Sequence, residues 1–383
     1  MKLLHTADLH IGKIVNEFSM LEDQKYVLNQ ILQIVKEEEI DGVLISGDVY
    51  DRSIPPAEAV SILDWFLTTL IEREVKVFVI AGNHDSAERV GFASSILDGK
   101  GLYIGGTYDG NLRTIRMEKA NVIVDITLLP FVKPQVVQYY KEETIRTYEE
   151  GVQCSLKDLN LDHSVTNILL AHHFVTAGGV DPEQSDSETE ISLGGIDKVD
   201  TSVFDEFDYV ALGHIHRPQR IGRDTIRYAG SPIKYSFSEV HHKKSVAILE
   251  IGENKEIDIQ LRELKPLHDM RVIRGSIDDL MNPEYYMLAD RNDYIQATLT
   301  DTVELVDPIG TMRSVYPNIM QLILEKNHGA RLKVNQDYKA RKTKTPLELF
   351  EEFYVTVTNR ELDETREKIM VEVLERAKEE VER

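Results

Sequence analysis

Gly42-Val43-Leu44-Ile45-Ser46-Gly47-Asp48-Val49-Tyr50-Asp51 is a short apolar run that stops abruptly at a glycine and a carboxylate. A run without polar alternation suits a strand covered on both faces. The same pattern recurs on either side. Lys2–His5 stops at Ala7-Asp8-Leu9-His10, and Val75–Ile80 stops at Gly82-Asn83-His84-Asp85. Between these runs lie helical patterns, at about Glu22–Glu39 (Val27, Ile31, Ile34 and Val35 in phase) and at Pro56–Ile71. Strands alternating with amphipathic helices predict a layered α/β fold. Further strands are predicted at Val122–Leu128, Asn167–Ala171, Tyr209–Leu212, Thr225–Ala229 and Ser245–Ile251. Two of these end at His172-His173 and at Gly213-His214-Ile215-His216. Ligands of such folds bind outside the carboxyl ends of strands, so these polar clusters are expected to meet in one cleft.

The chain's 383 residues are enough for about two domains and a tail. Its single cysteine, Cys154, excludes an internal disulfide framework and a thiolate zinc cage. No apolar run reaches membrane-spanning length and residues 1–20 carry no signal-peptide pattern, so a reducing, cytoplasmic setting is expected. A net charge of −22 speaks against nucleic acid as a partner, because phosphate binding normally leaves a basic footprint.

Asp8, His10, Asp48, Asn83, His172, His214 and His216 form a donor set of carboxylates, imidazoles and an amide. Hydrolysis of a phosphodiester calls for such a set when it holds two close cations that share an anionic ligand. Without thiolate, it suits Mn²⁺, Fe²⁺ or Zn²⁺ better than a hydrated Mg²⁺. Capping of strand ends by Asp and Asn would explain single residues but does not predict five ordered clusters. His5, inside the first strand, reads as a packed core histidine; His163, His241, His242, His268 and His328 read as solvated.

Taken together, Asp8-x-His10, Gly47-Asp48-x-x-Asp51, Gly82-Asn83-His84-Asp85, a strand-end His172 and Gly213-His214-x-His216 resemble the calcineurin-like metallophosphoesterases. Ala211–Pro218, Tyr228-Ala229-Gly230-Ser231-Pro232, Ser236-Phe237-Ser238-Glu239 and the Thr345–Tyr354 segment further resemble the SbcD family within them. The resemblance implies a two-sheet sandwich flanked by helices over 1–265, a small α/β capping domain over 266–344 and a helical SbcC-binding tail over 345–383. It implies that Asp8, His10 and His216 hold one metal and that Asn83, His172 and His214 hold the other, with Asp48 bridging. His173 remains an alternative to His172. His84 would serve the leaving oxygen, with Asp51 orienting it. Two divalent ions are implied, Mn²⁺ first, with Mg²⁺, Fe²⁺ or Zn²⁺ as alternatives. Ser53 and Asp85 depart from the protein phosphatases, which have Gly and Glu at the matching positions.

The implied activity is metal-dependent DNA cleavage in repair, replication and recombination. It comprises 3′→5′ exonuclease action on duplex ends and endonuclease action on hairpins, gated by ATP in SbcC. The competing readings are a phosphoesterase acting on small molecules or proteins, and a non-catalytic scaffold for the ATPase. The implied assembly is a cytoplasmic, nucleoid-associated heterotetramer with two copies of each subunit, in which this chain forms a homodimer. Ile62, Trp65, Phe66, Phe92 and Ile96, on helices expected at Pro56–Ile71 and Ser86–Leu97, would lie at the dimer interface or in the core. Leu349, Phe350, Phe353, Tyr354, Ile369, Val373 and Leu374 would meet SbcC, the first four on a helix opened by a Thr345–Glu348 capping box.

The acidity is uneven. Residues 213–244 carry seven Lys and Arg against two acids, a net +5, and residues 326–344 carry a net +6. Residues 181–208 carry −9 and the tail from 351 carries −5. Arg217, Arg220, Ser231, Lys234, Lys339, Arg341 and Lys342 are therefore the expected DNA contacts, framing a phosphate track.

Overall fold

The computed structural model describes residues 1–188, 196–303 and 305–325, together with 350, 354, 366 and 370. Contacts divide the chain into a unit spanning Met1–Glu325 and a second spanning Lys326–Arg383.

The apolar runs pair as expected into two six-stranded sheets. In the first sheet, Lys2–Thr6, Gly42–Ser46, Lys76–Ile80 and Leu102–Gly105 run parallel, Ser245–Ile251 pairs antiparallel with Lys2–Thr6, and Ile257–Glu263 pairs antiparallel with Ser245–Ile251 at the edge. In the second, Val122–Leu128, Thr166–His172, Tyr209–Gly213 and Arg223–Tyr228 run parallel, flanked by the antiparallel Arg113–Lys119 and Gln219–Ile221. Strand side chains alternate between faces. Leu3, Leu44, Phe78 and Ile80 therefore meet Ile126, Leu128, Ile168, Leu170, Tyr209 and Ala211 between the sheets.

The outer faces are covered by helices. Leu21–Glu37 buries Val27, Leu28, Ile31, Leu32 and Val35, its acids Glu22 and Asp23 lying in the first turn and Lys36 in the last, as the helix dipole favours. It packs with helix Ala57–Glu72 on the first sheet. Pro134–Lys141 and Tyr148–Leu156 cover the second sheet through Val137, Tyr148 and Val152. The helix expected over Ser86–Leu97 is instead two single turns, Ala87–Val90 and Ser94–Leu97. Gly91 ends the first turn and Ala93, at φ +59°, cannot continue it. Phe66 is core, whereas Phe92 and Ile96 are exposed.

After Leu264 a three-stranded parallel sheet forms from Met270–Gly275, Tyr294–Leu299 and Ile319–Leu324, with Tyr294–Leu299 in the middle. Its own core is Ile273, Leu280, Ile295, Leu299, Met312, Tyr316 and Ile319. Met270, Tyr294 and Met320 join the core of the first sheet, and Tyr294 Oη donates to Asp23 Oδ2 at 2.7 Å. No helix among the described residues is long and apolar enough to cross a membrane. In the second unit Phe350 and Tyr354, both helical and one turn apart, bring their ring centroids to 6.3 Å, and the Arg366 guanidinium lies 5.9 Å over the Tyr354 ring.

Candidate metal centre

Parallel strands place their carboxyl ends side by side, and main-chain pairing continues past those ends. Asp8 N–H donates to Gly47 O at 3.1 Å, His10 N–H to Asp48 O at 2.9 Å and Ile11 N–H to Val49 O at 3.0 Å. The chain turns sharply here, with Asp8, His10, Asp48 and His214 all at positive φ, a conformation that costs non-glycine residues energy and concentrates at functional sites. Gly47 is needed for both angle and space: at φ +87°, a Cβ would fall 2.3 Å from His172 Nδ1. Gly213 lies where the two sheets come close, since a Cβ there would fall 1.9 Å from Ser46 O.

These turns bring all seven sequence-predicted metal residues together. His10 Nε2 lies 3.1 Å from His216 Nε2, and with Asp8 they form one group of potential ligand atoms. On the other side, Asn83 Oδ1 lies 3.0 Å from His172 Nε2 and 3.1 Å from His214 Nδ1. Asp48 stands between, with Oδ2 3.2 Å from His172 Nε2 and 3.7 Å from His10 Nε2. Its Oδ1 accepts from His84 N–H at 2.9 Å. Asp8 is held by His214 N–H, which donates to Oδ1 at 2.8 Å.

Strand alternation separates the two adjacent histidines. Ile168 and Leu170 face the inter-sheet core, whereas Leu169 and Ala171 face the helices. His172 continues the inward set, with Nδ1 2.8 Å from Ser46 O and Nε2 at Asn83. His173 continues the outward set and lies against Phe131 at 5.6 Å between centroids, with neither ring nitrogen hydrogen-bonded among the described residues.

Burial governs the electrostatics. It lowers His10 and His216 well below the ordinary imidazole range and brings His214 down to about 3, so all three are neutral and keep a lone pair at pH 7. Burial opposes a charge on His172 as well, but the Asp48 carboxylate overrides it and lifts the imidazole to about 9. In return, and again against the effect of burial, His172 holds the Asp48 carboxyl well below its usual range. Burial raises Asp8. Asp8 Oδ2 and His10 Nδ1 are buried without a hydrogen-bond partner among the described residues. Buried donors and acceptors are normally satisfied. Neutral imidazole nitrogens set face to face beside orphaned carboxylate oxygen are thus a donor set that fits divalent cations.

His84 stacks edge-on to His10 at 4.8 Å between centroids, and its Nδ1 lies 2.9 Å from the main-chain carbonyl of Asp51. The expected orienting contact therefore comes from the Asp51 backbone. The Asp51 carboxylate accepts instead from Lys13 Nζ at 2.8 Å. Asp85, read from sequence only as a departure from the phosphatases, ties the loops together by accepting from Val49, Tyr50 and Gly82 N–H. Burial and the nearby Asp48 raise its carboxyl to about 6. His5 is a core histidine, with Tyr209 Oη 3.0 Å from Nδ1 and Ser46 Oγ 3.2 Å from Nε2. His268, expected in solvent, meets the Asp23 carboxylate at 3.2 Å.

The basic stretch differs from expectation. Ser231 is fully buried, donating to Ile233 O and accepting from Lys244 Nζ, each at 2.8 Å. Lys234 is only 10% exposed and is bound to Val240 O at 2.7 Å and Asp269 Oδ1 at 2.8 Å. Both are thus engaged within the fold. Lys244 is buried against Glu239, and Arg223 donates to the carbonyls of Phe204 and Phe207. Arg217 and Arg220 reach the surface, paired with Glu183 and Asp224. Lys339, Arg341, Lys342, Leu349, Phe353, Ile369, Val373, Leu374, His328 and the Thr345–Glu348 box lie outside the described residues.

The fold and its strand-end cluster define a calcineurin-like phosphoesterase, and the description of that family matches residues 1–218. A second family description, the type 5 capsule protein repressor C-terminal domain, matches residues 266–358. The SbcD component of the nuclease SbcCD from Staphylococcus epidermidis is 36% identical over 326 residues, which are 84% of this chain and 85% of that protein. The chain belongs to the SbcD family of calcineurin-like phosphoesterases. Among solved structures, a dimetal phosphatase from Danio rerio aligns with a TM-score of 0.41 at 13% identity, covering 70% of this chain and 97% of that one. The E. coli phosphoesterase Yfce aligns with a TM-score of 0.27 at 15% identity, covering 69% and 100%.

Proposed function

We propose that this chain is the nuclease subunit of an SbcCD-type complex, hydrolysing DNA phosphodiesters at a two-metal centre and working with an SbcC ATPase. The observation that carries the reading is Asp48, whose carboxylate stands between the Asp8/His10/His216 group and the Asn83/His172/His214 group. In the proposed assignment the first group holds one divalent ion, the second group holds the other, and Asp48 is shared. Mn²⁺ is the preferred ion, given a donor set without thiolate. Bound there, the ions would supply charge neutralisation and an activated water.

The chain's own residues do the rest. Ser46 O fixes the His172 ring by accepting from Nδ1, which aims Nε2 inward. Asp51 O likewise accepts from His84 Nδ1–H, so it is as the imidazolium that this ring would carry a proton on Nε2 to give to the leaving oxygen. Residues 266–344 act as a capping domain and 345–383 as the SbcC-binding tail, in a cytoplasmic, nucleoid-associated assembly with two copies of each subunit. Arg217 and Arg220 are proposed DNA contacts, as are Lys339, Arg341 and Lys342.

The test is to incubate the Mn²⁺-loaded chain with hairpin DNA and with a phosphomonoester, with and without SbcC and ATP. DNA cleavage stimulated by SbcC, with little monoester turnover, is expected. Rapid monoester hydrolysis without DNA cleavage would replace the reading with a phosphomonoesterase.

A further inference from the structure

Behind His216 lies a closed chain of polar groups, buried except for the half-buried Ser187, that the metal-site reading does not use. His216 Nδ1 is 2.6 Å from Ser187 Oγ, and Ser187 Oγ is 2.6 Å from Glu239 Oε1. Glu239 is fully buried, and its other oxygen accepts from Lys244 Nζ at 2.5 Å. Lys244, 5% exposed, places its remaining two hydrogens on His216 O and Ser231 Oγ, both at 2.8 Å. Tyr235 N–H also donates to Glu239 Oε1, at 3.1 Å. The His216 main chain is held too, its N–H donating to Glu188 Oε1 at 2.7 Å.

The direction of this chain follows from valence. An ionised carboxylate only accepts, and a hydroxyl has one hydrogen. With Lys244 beside it, Glu239 draws the Ser187 hydrogen as the shorter, charge-assisted bond. Ser187 Oγ is then left to accept, and its partner must be the Nδ1–H of His216. The proton of the neutral ring sits on Nδ1, and the lone pair sits on Nε2, the atom facing His10 Nε2 at 3.1 Å. We propose that Glu239, anchored by Lys244 and relayed through Ser187, is a positioning residue that sets the tautomer and orientation of His216 for metal binding. The metal role of His216 rests on the function proposed above; the tautomer does not.

The experiment therefore reads both. In the full-length chain labelled with ¹⁵N-histidine and stripped of metal, long-range ¹H–¹⁵N correlation, assigned with a His216→Gln control, reports the protonated nitrogen. Wild type should show the Nδ1–H form. In Glu239→Gln an amide can donate to Ser187 and reverse the chain, so the Nε2–H form should appear. Mn²⁺ titration by calorimetry should then show one of two sites weakened about 10–100-fold. Ser187→Ala, which leaves the Glu239–Lys244 pair intact, should do the same and serves if Glu239→Gln fails to fold. Nε2–H in wild type, or both variants keeping Nδ1–H with Mn²⁺ affinity within twofold of wild type, would overturn the proposal. Absence of Mn²⁺ binding by wild type would instead overturn the metal-site reading and leave the tautomer result standing.

Discussion

The turns at Asp8–His10, Asp48 and Asn83–His84 and the basic stretch 213–244 both gather polar groups around the same cleft, but the two treat those groups differently. In the turns, Asp8 Oδ2 and His10 Nδ1 are buried without partners among the described residues, and imidazole nitrogens face one another. In the basic stretch, Lys234 and Lys244 end on carbonyls or carboxylates, although Arg223 Nε and His242 Nδ1 are buried without hydrogen-bond partners among the described residues. A buried polar group left unsatisfied costs about 1–3 kcal/mol, and two such atoms beside facing imidazoles and the Asp48 carboxylate fit a site that receives a cation. A buried cation that is fully paired serves the fold. Formal charge read along a sequence does not distinguish these cases; the fate of each donor does.

The comparison can be broken most forcefully at Asp48. Asp48→Ala should remove at least one bound Mn²⁺ and reduce cleavage by more than about 10²-fold, whereas His84→Ala should lose about 10²–10⁴-fold in rate with metal content unchanged. Metal analysis alongside rate measurement separates them, and unchanged stoichiometry in Asp48→Ala would count against a shared ligand. A smaller effect should come from the paired side. Lys234→Met should cost about 1–2 kcal/mol of stability by denaturant titration and leave the salt dependence of DNA binding unaltered. A shallower salt slope would return Lys234 to the phosphate track.

The smallest effect concerns His5, a partnered histidine under the site. Burial lowers its pKa from 6.5 to about 3. Between those values the unfolded chain binds a proton that the folded chain refuses, so the contribution of His5 is complete above pH 6.5 and is lost as pH falls. The stability difference between wild type and His5→Gln should therefore shift against wild type by up to about 1.4 kcal/mol per pH unit on acidification. A pH-independent difference would mean that His5 is solvated.

Much of this site could be read before any coordinates, because the strands that carry it are covered on both faces. Gly42–Ser46, Val122–Leu128 and Ser245–Ile251 match their apolar runs residue for residue. Arg113–Lys119 was illegible because an edge strand with one buried residue, Met117, has no apolar run to read. Sequence favours His172 over His173 only through the resemblance, because Ile168–Ala171 is apolar throughout and the face each residue takes emerges only from the packing. The bonds of Lys13 to Asp51 and of Ser187 to Glu239 span 38 and 52 positions of sequence, and no local pattern announces them. Nor does the excess of lysine and arginine in 213–244 reveal what neutralises Lys244, which is known only once Glu239 is seen to be buried beside it.

The strand Lys2–Thr6 has one further consequence. It lies inside its sheet, between Gly42–Ser46 and Ser245–Ile251, and the cluster it leads into joins Asp8 and His10 to His214 and His216, some 206 positions later. During synthesis the first ten residues leave the ribosome long before their partners exist. A sheet closed by such distant pairing forms late and slowly. The nascent chain therefore has no assembled pocket until residues 214–216 have been made.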